Sequence, residues 1–177
     1  MDTQWNRFFA LLLRDGLVIA AVLALWSYVL RLGAAHDTWS IGIHILTGLL
    51  TVFVAYLMHE WGHLLGAWAA RSAFELPGVV ETFFLFRFDN VRNSRKQFFS
   101  MALGGFASSI VTVAFLLLVL PWSLLASQIA LALTALGVLA TLVIEVPEFW
   151  RVWRGGPLPT GAAFVSQPLT SAERIEH

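Results

Sequence analysis

Residues 41–70 read IGIHILTGLLTVFVAYLMHEWGHLLGAWAA. The one charged residue in this stretch, Glu60, lies inside His59-Glu60-Trp61-Gly62-His63. About 30 apolar residues suffice for a helix to cross a bilayer with tilt to spare. On such a helix residues four apart share a face, so His59 and His63 present two imidazoles to one metal ion. Glu60 stands beside them, where a general base for a metal-activated water is needed. The motif H-E-x-x-H is short, and its weight comes from its surroundings. A histidine or glutamate in hydrocarbon is costly and usually functional.

The rest of the chain agrees with a membrane setting. Of its 177 residues, 58% are hydrophobic and 12% charged, and the mean hydropathy is +0.75. Soluble domains carry about 25% charged residues. The surplus apolar surface must face the lipid bilayer. A formal net charge of zero argues against a nucleic-acid role. There is no cysteine, so disulfides and thiolate metal sites are excluded. Any metal must be held by histidine, carboxylate and water.

These features predict an all-α membrane protein with four transmembrane helices, spanning about 16–33, 41–70, 99–120 and 124–150. Residues 1–15 form an amphipathic start suited to the interface. Residues 1–154 make one domain, and 155–177, rich in Gly, Pro, Ser and Thr, a flexible tail. Between the second and third spans, Pro77-Gly78 breaks the pattern. From Thr82 onward Phe84, Phe86 and Phe88 alternate with Phe83, Leu85 and Arg87. That period of two predicts a short strand or hairpin beside the metal helix. His44 lies about 22 Å of helix rise from His59, so it belongs to another environment, interfacial or packed.

Basic residues set the topology. Arg71, Arg87, Arg92, Arg95 and Lys96 lie between the second and third spans, Arg7 and Arg14 before the first, Arg151 and Arg154 after the fourth. Both termini and the long loop are expected in the cytoplasm, in a bacterial inner membrane. Counted from that side at about 1.5 Å per residue, His63 lies about 12 Å deep, His59 about 18 Å, Gly104 about 12 Å, Ser108 about 18 Å and Glu145 about 9 Å. Groups from separate helices thus share one depth. Two histidines, a carboxylate and an open position make a catalytic zinc arrangement.

With this, the chain resembles the site-2 protease family of intramembrane zinc metallopeptidases. His59-Glu60-Trp61-Gly62-His63 sits in a spanning helix, a strand-like loop follows, and Gly104-Gly105-Phe106-Ala107-Ser108 opens a later span, similar to the family's Gly-Pro-x-x-Asn segment. The resemblance covers about residues 41 to 156. It implies Zn2+ on the two histidines, Glu60 as general base, and cleavage of transmembrane protein substrates. Gly104, Gly105 and Ser108, with Phe84 and Phe86, would then line the substrate cleft. Two departures stand out. Gly105 and Ser108 occupy the proline and asparagine places. The family's third ligand, an aspartate in a later helix, has no counterpart, because no aspartate follows Asp89. Glu145 is the expected replacement on depth, with Glu148 the alternative, and Pro147 between them loosens the backbone that aims either one.

Other readings compete. A non-catalytic relative would serve as a subunit of a larger membrane complex, whose other subunits are then its partners. A haem or pigment protein would use His44 or His59 as axial ligand, although facing-helix histidines are absent. A transporter subunit is disfavoured by the lack of an inverted repeat.

Overall fold

Backbone N–H and C=O groups in hydrocarbon have no water to bond, so an apolar stretch satisfies them within a helix. Four stretches do so here: α1 (Gln4–Leu32), α2 (Thr38–Ala69), α3 (Arg95–Val119) and α4 (Leu125–Trp153). Each is long and apolar enough to cross a membrane, and the chain is an integral membrane protein. Three short strands accompany them: β1 (Phe74–Glu75), β2 (Arg87–Asp89) and β3 (Phe164–Val165). The computed structural model describes residues 4–78 and 84–165.

Local chemistry starts and stops the helices. Asp37 caps α2 and Ser94 caps α3, each in a reciprocal capping box, with Ser40 and Gln97 respectively. The N-cap of α4, Leu124, makes no side-chain cap bond. Fully buried His44 supplies it instead, as its Nδ1 accepts the Ala126 N–H at 3.2 Å. His44 is thus a packed residue that ties α2 to the start of α4.

Helix α2 is the hub. It packs on α1, α3 and α4, whereas α3 and α4 meet over less of their length. Small residues allow the closest approaches. A Cβ on Gly62 would overlap the Ser108 Cβ and the Gly104 carbonyl, and one on Gly104 would overlap the Gly62 carbonyl. Farther along, Gly48 lies against Ile129 and the Ala126 carbonyl of α4. Two apolar clusters flank this region. One joins Leu64, Ala67, Phe88, Phe98, Met101 and Val152; the other joins Val22, Trp26, Leu116, Leu120, Ala126 and Ala130. The motif on α2, residues 105–109 on α3 and Glu145 on α4 lie between them.

Three expectations need correction. Residues 4–15 of the expected interfacial start are not a separate segment, since α1 runs unbroken from Gln4, and residues 1–3 lie outside the described residues. Phe8, Leu11 and Asp15 continue one seam against α2, and Arg7 and Gln4 bond the carbonyl and N–H of Leu76 (3.0 and 2.9 Å). The strand after α2 does not include Phe84 and Phe86. The Leu85 N–H donates to Glu60 Oε2 (3.1 Å) and is lost to any ladder, so pairing begins at Arg87. Residues 79–83, which open the expected strand, lie outside the described residues. Finally, 155–165 is not a loose tail. β1 and β2 pair antiparallel (Phe74↔Phe88), and β3 adds in parallel on the other side of β2 (Phe88↔Phe164). Phe164 packs on Phe88 with ring centroids 6.4 Å apart. The remainder of the expected tail, 166–177, lies outside the described residues.

Asp89 closes β2. Its Oδ1 accepts the Val91 and Arg92 N–H groups (both 2.9 Å), and its Oδ2 accepts from the Arg92 guanidinium (2.5 Å). Burial pushes the Asp89 carboxyl up, but these donors outweigh it and hold it below the ordinary carboxylate value. The folded state therefore takes this proton less readily than the unfolded chain. Its stabilisation is whole above about pH 4, the unfolded value, and is lost as pH falls through the depressed folded value.

Two outcomes are expected from thermal unfolding in detergent. Gly62→Ala should cost about 1–3 kcal/mol through overpacking, while Gly137→Ala, with nothing within 4 Å of its new Cβ, should be neutral or slightly stabilising. Equal effects would refute the close-packing assignment. Asp89→Ala should cost about 1 kcal/mol at pH 7 and flatten the fall in stability below pH 4. An unchanged acid limb would contradict the role given to Asp89.

Candidate metal centre

His59 and His63 leave α2 on one face, one turn apart. Each ring is aimed by α3. His63 Nδ1 bonds the Met101 carbonyl at 3.0 Å. His59 Nδ1 lies 2.8 Å from Ser109 Oγ and 3.2 Å from the Gly105 carbonyl. A carbonyl only accepts, so the ring proton sits on Nδ1 in both histidines. In the neutral ring each Nε2 then offers a lone pair. Helical carbonyls keep one lone pair free after the i→i+4 bond, which is how Met101 and Gly105 serve twice.

Those lone pairs meet, with the two Nε2 atoms 2.9 Å apart. Glu145, reaching in from α4, puts Oε1 at 3.1 Å from His59 Nε2 and Oε2 at 3.4 Å from His63 Nε2. The three residues thus bring one ligand atom each within 4.8 Å of one another. With both rings neutral, three acceptors converge on one point, an arrangement that could hold a metal ion. Ligand bonds of about 2.0–2.1 Å around a tetrahedral ion give ligand–ligand edges of about 3.3 Å. The two Nε2 atoms are 2.9 Å apart, and each lies 3.1 or 3.4 Å from a different oxygen of the Glu145 carboxylate, separations of that size. Nδ1–H groups held by carbonyls are also the usual outer support of metal-binding histidines.

Glu60 is 8% exposed and accepts the Leu85 N–H through Oε2. It lines a cavity of about 460 Å³ together with His63 and Glu145. Five phenylalanines, Phe84, Phe86, Phe98, Phe106 and Phe164, make much of the wall, and Glu148 and Arg151 add a polar margin. Residues 159–164 close another side. The Asn90 side chain fixes that segment through the Pro159 carbonyl.

Sequence expectations map onto this geometry unevenly. His59, His63 and Glu145 come together, and Glu60 lines the same cavity as His63 and Glu145, while His59 borders a second pocket beside Tyr56 and Ser109. Phe84 and Phe86 line it. Gly104, Gly105 and Ser108, expected in the cleft, are not among its lining residues. Gly104 is pressed on Gly62 and Gly66, and Ser108 donates to the Met58 carbonyl at 2.6 Å. Gly105 has its Cα against the His63 ring, where any side chain would collide. Their smallness serves helix packing and room for a ligand's ring. Glu148 pairs with Arg151 instead of the histidines.

Sequence reasoning missed Ser109, the Met101 and Gly105 carbonyls, and the wall at 159–164. A hydroxyl one residue from the expected Ser108 was the available hint for Ser109. The carbonyls and the returning strand leave no signal in side-chain pattern. Comparison with family models, with curated proteins and with solved structures finds no match to this chain.

The triad predicts a hierarchy of metal affinities. His59→Ala, His63→Ala and Glu145→Ala should each weaken zinc or cobalt binding by about 100-fold or more, and Ser109→Ala by about tenfold. Glu148→Ala should leave affinity unchanged. Chelator-competition titration of the solubilised protein measures all five, and a Glu148 effect equal to that of Glu145 would overturn the assignment.

Proposed function

We propose that this chain is an intramembrane metallopeptidase, with zinc held by His59, His63 and Glu145, acting on peptide bonds of membrane-embedded protein substrates. The observation that carries this reading is the convergence of three acceptors at the edge of an apolar cavity that also holds Glu60. Two histidines and one carboxylate with an open position is a hydrolytic donor set. When bound, the ion polarises a carbonyl and acidifies water.

The chain's own residues do the remaining work. Glu60 is the proton acceptor. Its Oε2 is engaged by Leu85, so Oε1 takes the proton from the attacking water and passes it to the leaving amine. The C–N bond breaks, the water oxygen ends on the carbonyl carbon, and its protons leave on the products. The phenylalanine wall suits apolar side chains of a segment leaving its helix.

Edge pairing of substrate on the strand Arg87–Asp89 is no part of this reading, because β1 and β3 already occupy both its edges. The bilayer proposed is a bacterial inner membrane, with both termini and the motif-to-α3 loop on the basic, cytoplasmic side. Arg151 and Glu148 then stand at the cavity's polar margin, nearest that side.

Glu60→Gln separates chemistry from binding. It should keep its zinc content and lose cleavage of a membrane-embedded peptide by about 100-fold or more in kcat. His63→Ala should lose both. Cleavage that survives Glu60→Gln would sink the peptidase reading and leave a metal-binding subunit of a membrane complex.

A further inference from the structure

The seam by which α1 packs on α2 contains Phe8, Leu11, Asp15, Val22, Trp26 and Val29, and Asp15 is its single carboxylate. It is 2% exposed. A buried carboxylate in a spanning helix is expensive, and a leucine would fill the same position without that cost. Both its oxygens are engaged. Oδ1 accepts from neighbouring Arg14 Nε at 2.7 Å. Oδ2 accepts the indole N–H of Trp61 at 2.8 Å. Trp61 is the residue between Glu60 and Gly62, and its ring also stacks edge-on against Phe8 (centroids 5.8 Å apart).

Two residues along a helix correspond to about 200° of rotation. Trp61 therefore leaves α2 on the side roughly opposite His59 and His63. Apolar contacts alone specify the rotation of an apolar helix weakly, because one oily face substitutes for another. A hydrogen bond in hydrocarbon has direction and no water to replace it. Resting on the metallopeptidase reading, we propose that Asp15 is a positioning residue of the metal site. Through the indole of Trp61 it pins α2 from behind, so that His59, Glu60 and His63 face α3 and α4.

The same helix pair offers an internal control. Trp26 of α1 donates to Thr51 Oγ1 of α2 at 2.8 Å, a similar pin two turns before the motif. Four variants of the full-length protein test the proposal: Asp15→Leu, Asp15→Asn, Trp61→Phe and Thr51→Val. Asp15→Leu and Trp61→Phe should each weaken cobalt binding by about tenfold and lower kcat by about tenfold or more with KM unchanged. Their double variant should lose no more than either alone. Asp15→Asn keeps an acceptor for the indole and should stay within about threefold of wild type. Thr51→Val should lower thermal stability and leave both readouts alone. If Asp15→Leu binds cobalt like wild type, or if Thr51→Val weakens it equally, the positioning role is overturned while the metal site stands. A wild-type chain that binds no metal overturns both readings together. Metal binding without peptide cleavage overturns the peptidase reading alone, and the cobalt comparison still decides the role of Asp15.

Discussion

The structure depends on a backbone-to-backbone approach between α2 and α3. Gly62, Gly66 and Gly104 carry no Cβ, and the two helices meet where those atoms would stand. Only at that separation do the Met101 and Gly105 carbonyls come within reach of the His63 and His59 rings. A longer spacing would leave two imidazoles in hydrocarbon with unaimed N–H groups. The ring tautomers, and hence the lone pairs that converge with Glu145, follow from the glycine contact. A packing constraint and a chemical one are here the same constraint.

This explains why the site was legible in part. The two histidines and Glu60 stand in one local motif whose helical spacing carries its own geometry. Glu145 was legible by depth, because a spanning helix converts residue count into distance. The glycines were visible, yet their use was not. A Gly-Gly pair says that something approaches closely without saying whether it is substrate, backbone or ring. Here Gly104 meets backbone and Gly105 meets an imidazole. The four spans were legible from hydropathy, though α1 begins a dozen residues earlier than expected. Arg7, Arg14 and Asp15 lie along the packed side of its opening turns, beside Leu11, and their charges pull down a hydropathy average over those turns.

The strands were the least legible part. An alternating phenylalanine run from Thr82 announces a strand, but alternation describes only which side chains face which way. Backbone bonding decides where a ladder starts, and the Leu85 N–H is taken by Glu60. β3 carries no local signature beyond two apolar residues. It exists because β2 had a vacant edge and Phe88 a vacant face. Such pairings between segments far apart in sequence are invisible to a pattern read along the chain.

The polar layer also bears on how the helices hold together. α4 is packed on α2 near its start through Gly48 and His44. Near its far end the polar link from α4 to α2 is Glu145 to the two histidines, and α3 and α4 leave the 460 Å³ cavity between them. Without a cation and with both rings neutral, that link would set a carboxylate against two lone pairs, which repel. With one, the same atoms attract. In the proposed metal-loaded form the ion is therefore a fastener as well as a reagent, holding α4 across a cavity that apolar packing leaves open. Phe99 and Phe106 of α3 hold Phe149 of α4 one turn beyond Glu145 (ring centroids 5.0 and 5.9 Å apart), so apolar packing places that turn of α4, and a bound cation would add the polar link that aims the carboxylate itself.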